Sequence, residues 1–274
     1  NVFGESAAGM RALLEQQGVR VSEAEEATDD SLHILFGAHT MAKLPQRYVL
    51  YQGEQLKSSY FTHSYREKIK GAVHVFDHSR KGQELCSSLG CESTQVSFPV
   101  SVDVSCVPPD PEQRYDLLFY GCGNARRSSL KESFRRSDLT SKFFLGFDLF
   151  GERRDREISS AAVVLNVHFY AEASLEVHRI NYLLARGKVV LSEPSSDTEM
   201  DALYSSVVHF APMSGLALKA REIVGRMVTN PNYESDRAKK AREFIHERMR
   251  VTSLKIAKVI RALLDERPTL LALV

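Results

Sequence analysis

The sequence predicts an α/β protein of two doubly wound domains, each a parallel sheet covered by helices, facing one another across a central cleft. Three observations predict it. Short β-rich runs alternate with helical patterns, the signature of crossover connections. The alternation breaks at Cys106-Val-Pro-Pro-Asp-Pro-Glu-Gln113, a stiff stretch that suits a linker, and then restarts. Hydrogen-bonding residues crowd just past the expected strands, at the carboxyl edge where such sheets bind ligands.

The elements follow in order. A helix over residues 6–17 carries Met10, Leu13 and Leu14 at helical spacing and stops at Gly18. Only Asn1 to Gly4 precede it, so a first strand is short or missing. Residues 32–37 and 48–51 are β-rich runs ending in glycine-containing loops. A polar helix lies within 60–70, a strand at 72–76, a helix near 82–89 and a strand near 95–100. Past the prolines come a strand at 116–120, a helix over 127–136, a strand at 142–145 and a helix over 153–160. A buried strand from Ala161, a polar loop, a short amphipathic helix stopped by Gly187 and a second buried strand follow, and this stretch is the most informative in the chain. A strand at 207–210 and a helix over about 235–265 close the list. The expected domains are 1–108, 114–246, and a helical tail 247–274 packing back on the first domain.

Bulk numbers exclude several classes. The 274 residues fit one large or two modest α/β domains. With 36 Lys and Arg against 35 Asp and Glu, the chain lacks the basic excess of a dedicated nucleic-acid binder. No apolar run approaches the length that spans a bilayer, and no charged-then-apolar leader opens the chain. Cys86, Cys91, Cys106 and Cys122 form no C-x-x-C pair and lack zinc-site spacing, so they read as reduced thiols in a cytoplasmic compartment. A Cys86–Cys91 disulfide is the alternative. The missing initial Met points to a piece of a larger, multidomain chain.

The candidate site residues fall into two groups. Tyr120-Gly-Cys-Gly-Asn-Ala-Arg-Arg127 joins a strand to a helix. Gly121 and Gly123 would let the backbone approach a phosphate, and Arg126 and Arg127 would neutralise it. Arg126 stands where a dinucleotide fingerprint needs its third glycine, which argues against a nicotinamide dehydrogenase. The bland reading is a tight turn with solvated arginines. Phe150-Gly-Glu-Arg-Arg-Asp155 opens a helix and is largely explained by acidic residues at its N-terminus. Asn166, Tyr170, Ser174, Glu176 and Arg179 gather after the strand at 161, where a helix starting near Ser174 would add an anion site. Glu176 and Arg179 share a helical face, so Glu176 would take sugar hydroxyls and Arg179 a diphosphate; an intrahelical ion pair is the plainer account. His168 and His178 are weaker candidates. In the first half, His39, Glu54 and Asp77 each follow a strand and are candidate general bases, each otherwise a loop-stabilising polar residue.

These motifs carry a resemblance. The runs 116–127, 150–155, 164–168, 174–179 and 187–193 resemble the nucleotide-sugar domain of GT-B-type glycosyltransferases, especially the compact CgeB-like group and similar enzymes of large algal viruses. Residues 48–55 and 75–79 resemble the partner domain more loosely. The resemblance implies two Rossmann-like domains, donor on the second and acceptor on the first, with a C-terminal helix crossing back. It also implies no tightly held metal or cofactor. Many such enzymes place a ribose-binding Glu five residues before the helix-stopping glycine, whereas here Tyr182 stands there.

The expected function is transfer of a sugar from a nucleoside-diphosphate sugar to a glycan or other hydroxyl acceptor. Arg126, Arg127 and the glycines would steady the leaving diphosphate, and Glu54 is the first choice of base if the reaction inverts. A nucleotide-sugar epimerase on the same scaffold and a non-catalytic glycan- or nucleotide-binding module stay open on sequence grounds.

Overall fold

A computed structural model describes residues 3–22, 28–102, 114–146 and 149–274. The proline-rich stretch from Cys106 to Gln113 lies outside them. The chain divides into two compact units, one of Asn1–Val102 with His246–Val274 and the other of Asp103–Ile245.

The first unit opens with α1 (Gly4–Gln16), which buries Met10, Leu13 and Leu14. The helix stops at Gly18, whose φ of 71° is the left-handed conformation a glycine adopts without strain. Then follow β1 (Leu32–Phe36), β2 (Tyr48–Gln52), α2 (His63–Lys70), β3 (His74–Asp77), α3 (Arg80–Ser88) and β4 (Ser93–Gln95). Thr62 and Ser79 cap α2 and α3, accepting the N–H of Tyr65 and of Gly82. Leu35, Leu50 and Val75 from the strands pack with Tyr65, Ile69 and Cys86 from the helices.

The second unit runs β5 (Tyr115–Gly121), α4 (Ala125–Arg135), β6 (Ser141–Leu145), α5 (Gly151–Ser160), β7 (Ala161–Asn166), α6 (Val177–Ala185), β8 (Val189–Ser192), α7 (Thr198–Tyr204), β9 (Val208–Phe210) and α8 (Leu216–Thr229). Its sheet is wholly parallel, in the order β6-β5-β7-β8-β9. Connections leaving β5 and β7 therefore part in opposite directions, which makes the carboxyl ends of these two strands the topological switch point. Leu130 and Phe134 of α4 share one apolar cluster with Ala220 and Ile223 of α8, over Phe119, Leu165 and Leu191 of the strands.

The chain then forms one long helix, α9 (Tyr233–Glu266), and ends in β10 (Leu271–Leu273). Residues of α9 up to Ile245 belong to the second unit and those from His246 to the first. The first unit's sheet is also parallel, ordered β10-β1-β2-β3-β4. The expected wholly helical tail is thus corrected. Pro268 cannot continue a helix, and the apolar residues after it pair with β1. The edge position beside β1 is held by the last strand of the chain, clasped by Ser22, whose N–H and hydroxyl both reach the Leu271 carbonyl at 2.7 Å. The strand expected near 95–100 is also displaced, to Ser93–Gln95. Beyond it the Ser97 N–H donates to the Thr252 hydroxyl of α9 (3.2 Å) instead of to a neighbouring strand. Helices α7 and α8 were not anticipated. Among the described residues no helix is long and apolar enough to cross a membrane.

His209 on β9 places Nε2 3.0 Å from the Tyr233 hydroxyl. Burial first, and then Arg237, Lys219 and Arg226, push its pKa down to about 4. The unfolded chain, with a value near ~6.5, binds more protons than the folded one between those limits, so stability rises with pH across that window. Melting temperature should therefore climb from about pH 4 to about pH 6.5, and His209→Gln should flatten part of the slope, as calorimetry across the window would show.

Candidate functional site

The second unit's site is built where β5 and β7 end. β5 closes on Gly121 at φ 145°, and a Cβ there would lie 2.9 Å from Arg179 NH2 and 3.3 Å from Arg127 NH1. Only glycine lets the backbone pass these two guanidinium groups. Asn124 then caps α4, its Oδ1 accepting the Arg127 N–H at 2.9 Å while Nδ2 donates to the Phe169 carbonyl at 2.8 Å. One side chain thus starts a helix and ties the β5 loop to the β7 loop. At Gly123 a Cβ would touch Leu145 at 3.4 Å.

The three arginines have different tasks. Arg127 is 3% exposed. Its Nε donates to the Val167 carbonyl (3.0 Å), NH1 to the Cys122 carbonyl (2.9 Å) and NH2 to Glu176 Oε1 (3.2 Å). Phe119 and Phe169 take its faces, with ring centroids 5.2 and 5.4 Å away. Arg126 forms a two-pronged pair with Glu193 and donates to the His168 carbonyl. The expectation that Arg126 and Arg127 meet a diphosphate is therefore corrected. Both are engaged by the protein, Arg127 because a buried guanidinium left unpaired would be costly and the part-exposed Arg126 through its pair with Glu193. Arg179 differs. It stacks on Tyr120 at 5.1 Å, and NH1 donates to Glu176 Oε2 (3.0 Å) and Asn166 Oδ1 (3.3 Å). Among the described residues its hydrogen bonds run through NH1, and NH2 lies beside Gly121.

Glu176 is buried and accepts from both sides. Burial alone would lift its carboxyl, but Arg179, then Arg127, His168 and His178, hold the pKa down at about 2. Each oxygen thus meets one guanidinium, so the ion pair weighed in the sequence is present, extended by Arg127. Asn166 is wholly buried and hydrogen-bonded to Ser192, so it orients Arg179 rather than meeting solvent. Helix α6 starts at Val177 with Glu176 as its N-cap, so Ser174 stands in the loop ahead of the helix, not at its first turn. Tyr170 is half-buried in the same loop, its ring edge-on to Phe169. Tyr182 is clamped between the guanidinium groups of Arg154 and Arg186, 4.0 and 3.4 Å from its ring, and its hydroxyl donates to Asp155. Two residues carry more than their sequence signal. Glu193 sits at the tip of β8, a position a stricter reading of strand ends would have flagged. His168 is 0% exposed, and both its ring nitrogens lack a partner.

The first unit brings together His39 and Glu54, with Nε2 3.5 Å from Oε1. Gln52 holds Glu54 by the backbone, donating to its carbonyl and accepting its N–H, each at 2.8 Å, and also accepts from the Tyr65 hydroxyl. Phe3, Tyr60 and Tyr65 surround the His39 ring at 5.2–6.1 Å, and Phe36, Tyr51 and Phe98 complete the pocket. Asp77 is not part of it. Its carboxyl is wholly buried against Gly82 under α3, where Oδ1 accepts from the Ser79 N–H and hydroxyl. Burial raises its pKa, and the loop-stabilising reading replaces the catalytic one.

Among the described residues no cluster of three or more His, Cys, Asp and Glu comes together to hold a metal ion. Cys86, Cys91 and Cys122 are free thiols, and Cys106 lies outside the described residues. A cleft of about 420 Å³, lined by Arg114, Asp116, Ser160 and Lys188, opens at the opposite, N-terminal edge of the second sheet, away from the switch point.

No family model matches the chain, and no curated protein matches it in sequence. Solved structures do match. AviGT4, a glycosyltransferase involved in avilamycin A biosynthesis, is 13% identical, with a TM-score of 0.57 over 95% of this chain and 89% of that one. Sucrose-phosphate synthase from Thermosynechococcus elongatus is 11% identical, TM-score 0.55, over 95% and 77%. HepE from Anabaena, solved with UDP and glucose, is 10% identical, TM-score 0.55, over 80% and 72%. The two parallel five-stranded sheets and these neighbours show the GT-B fold. The geometry separates the arginines experimentally. Arg127→Ala should cost about 3–5 kcal/mol in denaturant unfolding, as expected for removing one partner of a buried pair. Arg179→Ala should cost less than this, because Arg127 still pairs with the buried Glu176.

Proposed function

We propose that the chain is a glycosyltransferase that moves a hexosyl or pentosyl group from a nucleoside-diphosphate sugar to a hydroxyl of a glycan or other acceptor. One observation carries this reading: at the switch point two guanidinium groups, Arg127 and Arg179, share the single carboxylate of Glu176. The cluster holds an excess positive charge, and Arg179 NH2 presents it beside Gly121, where backbone approach is unobstructed by a Cβ. A diphosphate suits that site, with the N-terminus of α4 adding a favourable dipole. Charge placed before the reaction where negative charge develops on the leaving group is usually the largest catalytic contribution. That contribution comes from the chain itself, so the reading calls for no tightly held metal or cofactor. The neighbour that binds UDP and glucose supports a donor of this class.

The first unit supplies the acceptor side. The aromatic rings beside His39 are of the kind on which sugar rings stack, and Glu54 would take a proton from an acceptor hydroxyl. In an inverting reaction that hydroxyl attacks the anomeric carbon, its proton passes to Glu54, and the bond from sugar to diphosphate breaks. His39, 3.5 Å away, would orient the carboxylate and share its charge. The free thiols fit a cytoplasmic setting.

A thermal-shift panel tests the donor class. A nucleoside diphosphate or its sugar should raise the melting temperature and nicotinamide dinucleotides should not; silence toward every nucleoside diphosphate would remove the reading. Glu54→Gln should cut transfer at least about a hundredfold while preserving the nucleotide shift, and full activity in that variant would exclude Glu54 as the base.

A further inference from the structure

His168 is the least satisfied side chain of the second unit's site. It stands just past the end of β7, at the switch point, with no exposed surface. Its backbone is fully used: the N–H donates to Glu193 (2.7 Å) and the carbonyl accepts from Arg126 (3.2 Å). Its ring is not. Neither Nδ1 nor Nε2 has a hydrogen-bond partner, and Nδ1 stops 3.9 Å from Glu176 Oε1, about an ångström beyond hydrogen-bond reach. Leaving a buried polar group unsatisfied is expensive, and folded proteins retain such groups mainly where function uses them.

What the ring lacks is what the carboxylate beside it stands to lose. Glu176 divides its oxygens between Arg127 on Oε1 and Arg179 on Oε2. Arg127 is fixed by two backbone carbonyls and two aromatic rings, so it cannot leave. Among the described residues Arg179 has no such backbone anchors, and it is the one facing the proposed diphosphate site. An anion there draws Arg179 away from Glu176, and a buried carboxylate deprived of one cation needs a replacement donor.

The geometry points to His168 as that replacement: a positioning residue, left unpartnered in the resting protein, whose Nδ1–H closes on Glu176 when Arg179 turns to the diphosphate. No bond is made or broken; one hydrogen bond is exchanged for another, so the release of Arg179 costs little. The inference rests on the donor-site reading above and deepens it.

The test separates stability from affinity, using the whole chain and UDP as probe. His168→Leu keeps the volume and removes both nitrogens. Its melting temperature without ligand should equal or exceed that of the native chain, since an unsatisfied polar group has been removed, while its UDP affinity by calorimetry should fall about tenfold. His168→Asn, whose Nδ2 takes the place of Nδ1, should recover most of that affinity. Native affinity in the Leu variant, or no recovery in a folded Asn variant, overturns the role of His168. A Leu variant that melts several degrees lower also overturns it, because the ring would then be bonded in the resting protein. If the native chain itself binds neither UDP nor any other nucleoside diphosphate, it is the donor reading that fails, and this inference falls with it.

Discussion

The buried guanidinium of Arg127 is the interaction on which the second unit's site depends. A doubly wound sheet opens at its switch point because the connections leaving two adjacent strands travel to opposite sides. Nothing in the sheet ladder itself holds those connections at a set separation. Arg127 does so here, donating to Cys122 after β5, to Val167 after β7, and to Glu176 at the head of α6. Three segments distant in sequence are thereby held by one planar group whose five donors have fixed directions.

Around this fixed group the remaining charges sort by mobility. Arg126 and Glu193 pair with each other and clasp the backbone of His168, which stiffens the loop after β7. Arg154, Asp155, Tyr182 and Arg186 form a second group of paired charges along α5 and α6. Arg179 has fewer obligations and the nearest approach to the glycine turn. Most of the charged residues here serve rigidity, and the unsatisfied His168 ring marks where the arrangement is not closed.

The first unit shows the same economy with different materials. Its sheet is finished by β10, which Ser22 clasps through the Leu271 carbonyl, and Thr252 of α9 accepts the Ser97 N–H beyond β4. Its pocket is aromatic and nearly neutral, with a single His–Glu pair positioned by Gln52. The two units thus differ in their polar groups, a cluster of arginines and carboxylates in one and a single His–Glu pair among aromatic rings in the other, on sheets of the same parallel type.

The alternation of strands and helices, the stops at Gly18 and Gly187 and the crowding of polar residues after β5 and β7 were legible in the sequence, because periodicity, glycine conformation and strand polarity are local properties. So was the candidacy of Glu54, His39 and the arginines. What each does was not legible. Arg126, Arg127 and Arg179 are chemically identical in sequence, and only burial and partners tell the braced Arg127 and paired Arg126 from Arg179 beside Gly121. Asp77 looked equivalent to Glu54 until its carboxyl was seen beneath α3, and Leu271–Leu273 read as helix until Pro268 and the open edge of β1 made it a strand. Local pattern determined the elements and their order. Tertiary contact decided the roles, because the cost of an unpaired buried charge depends on neighbours that the chain brings in from far away.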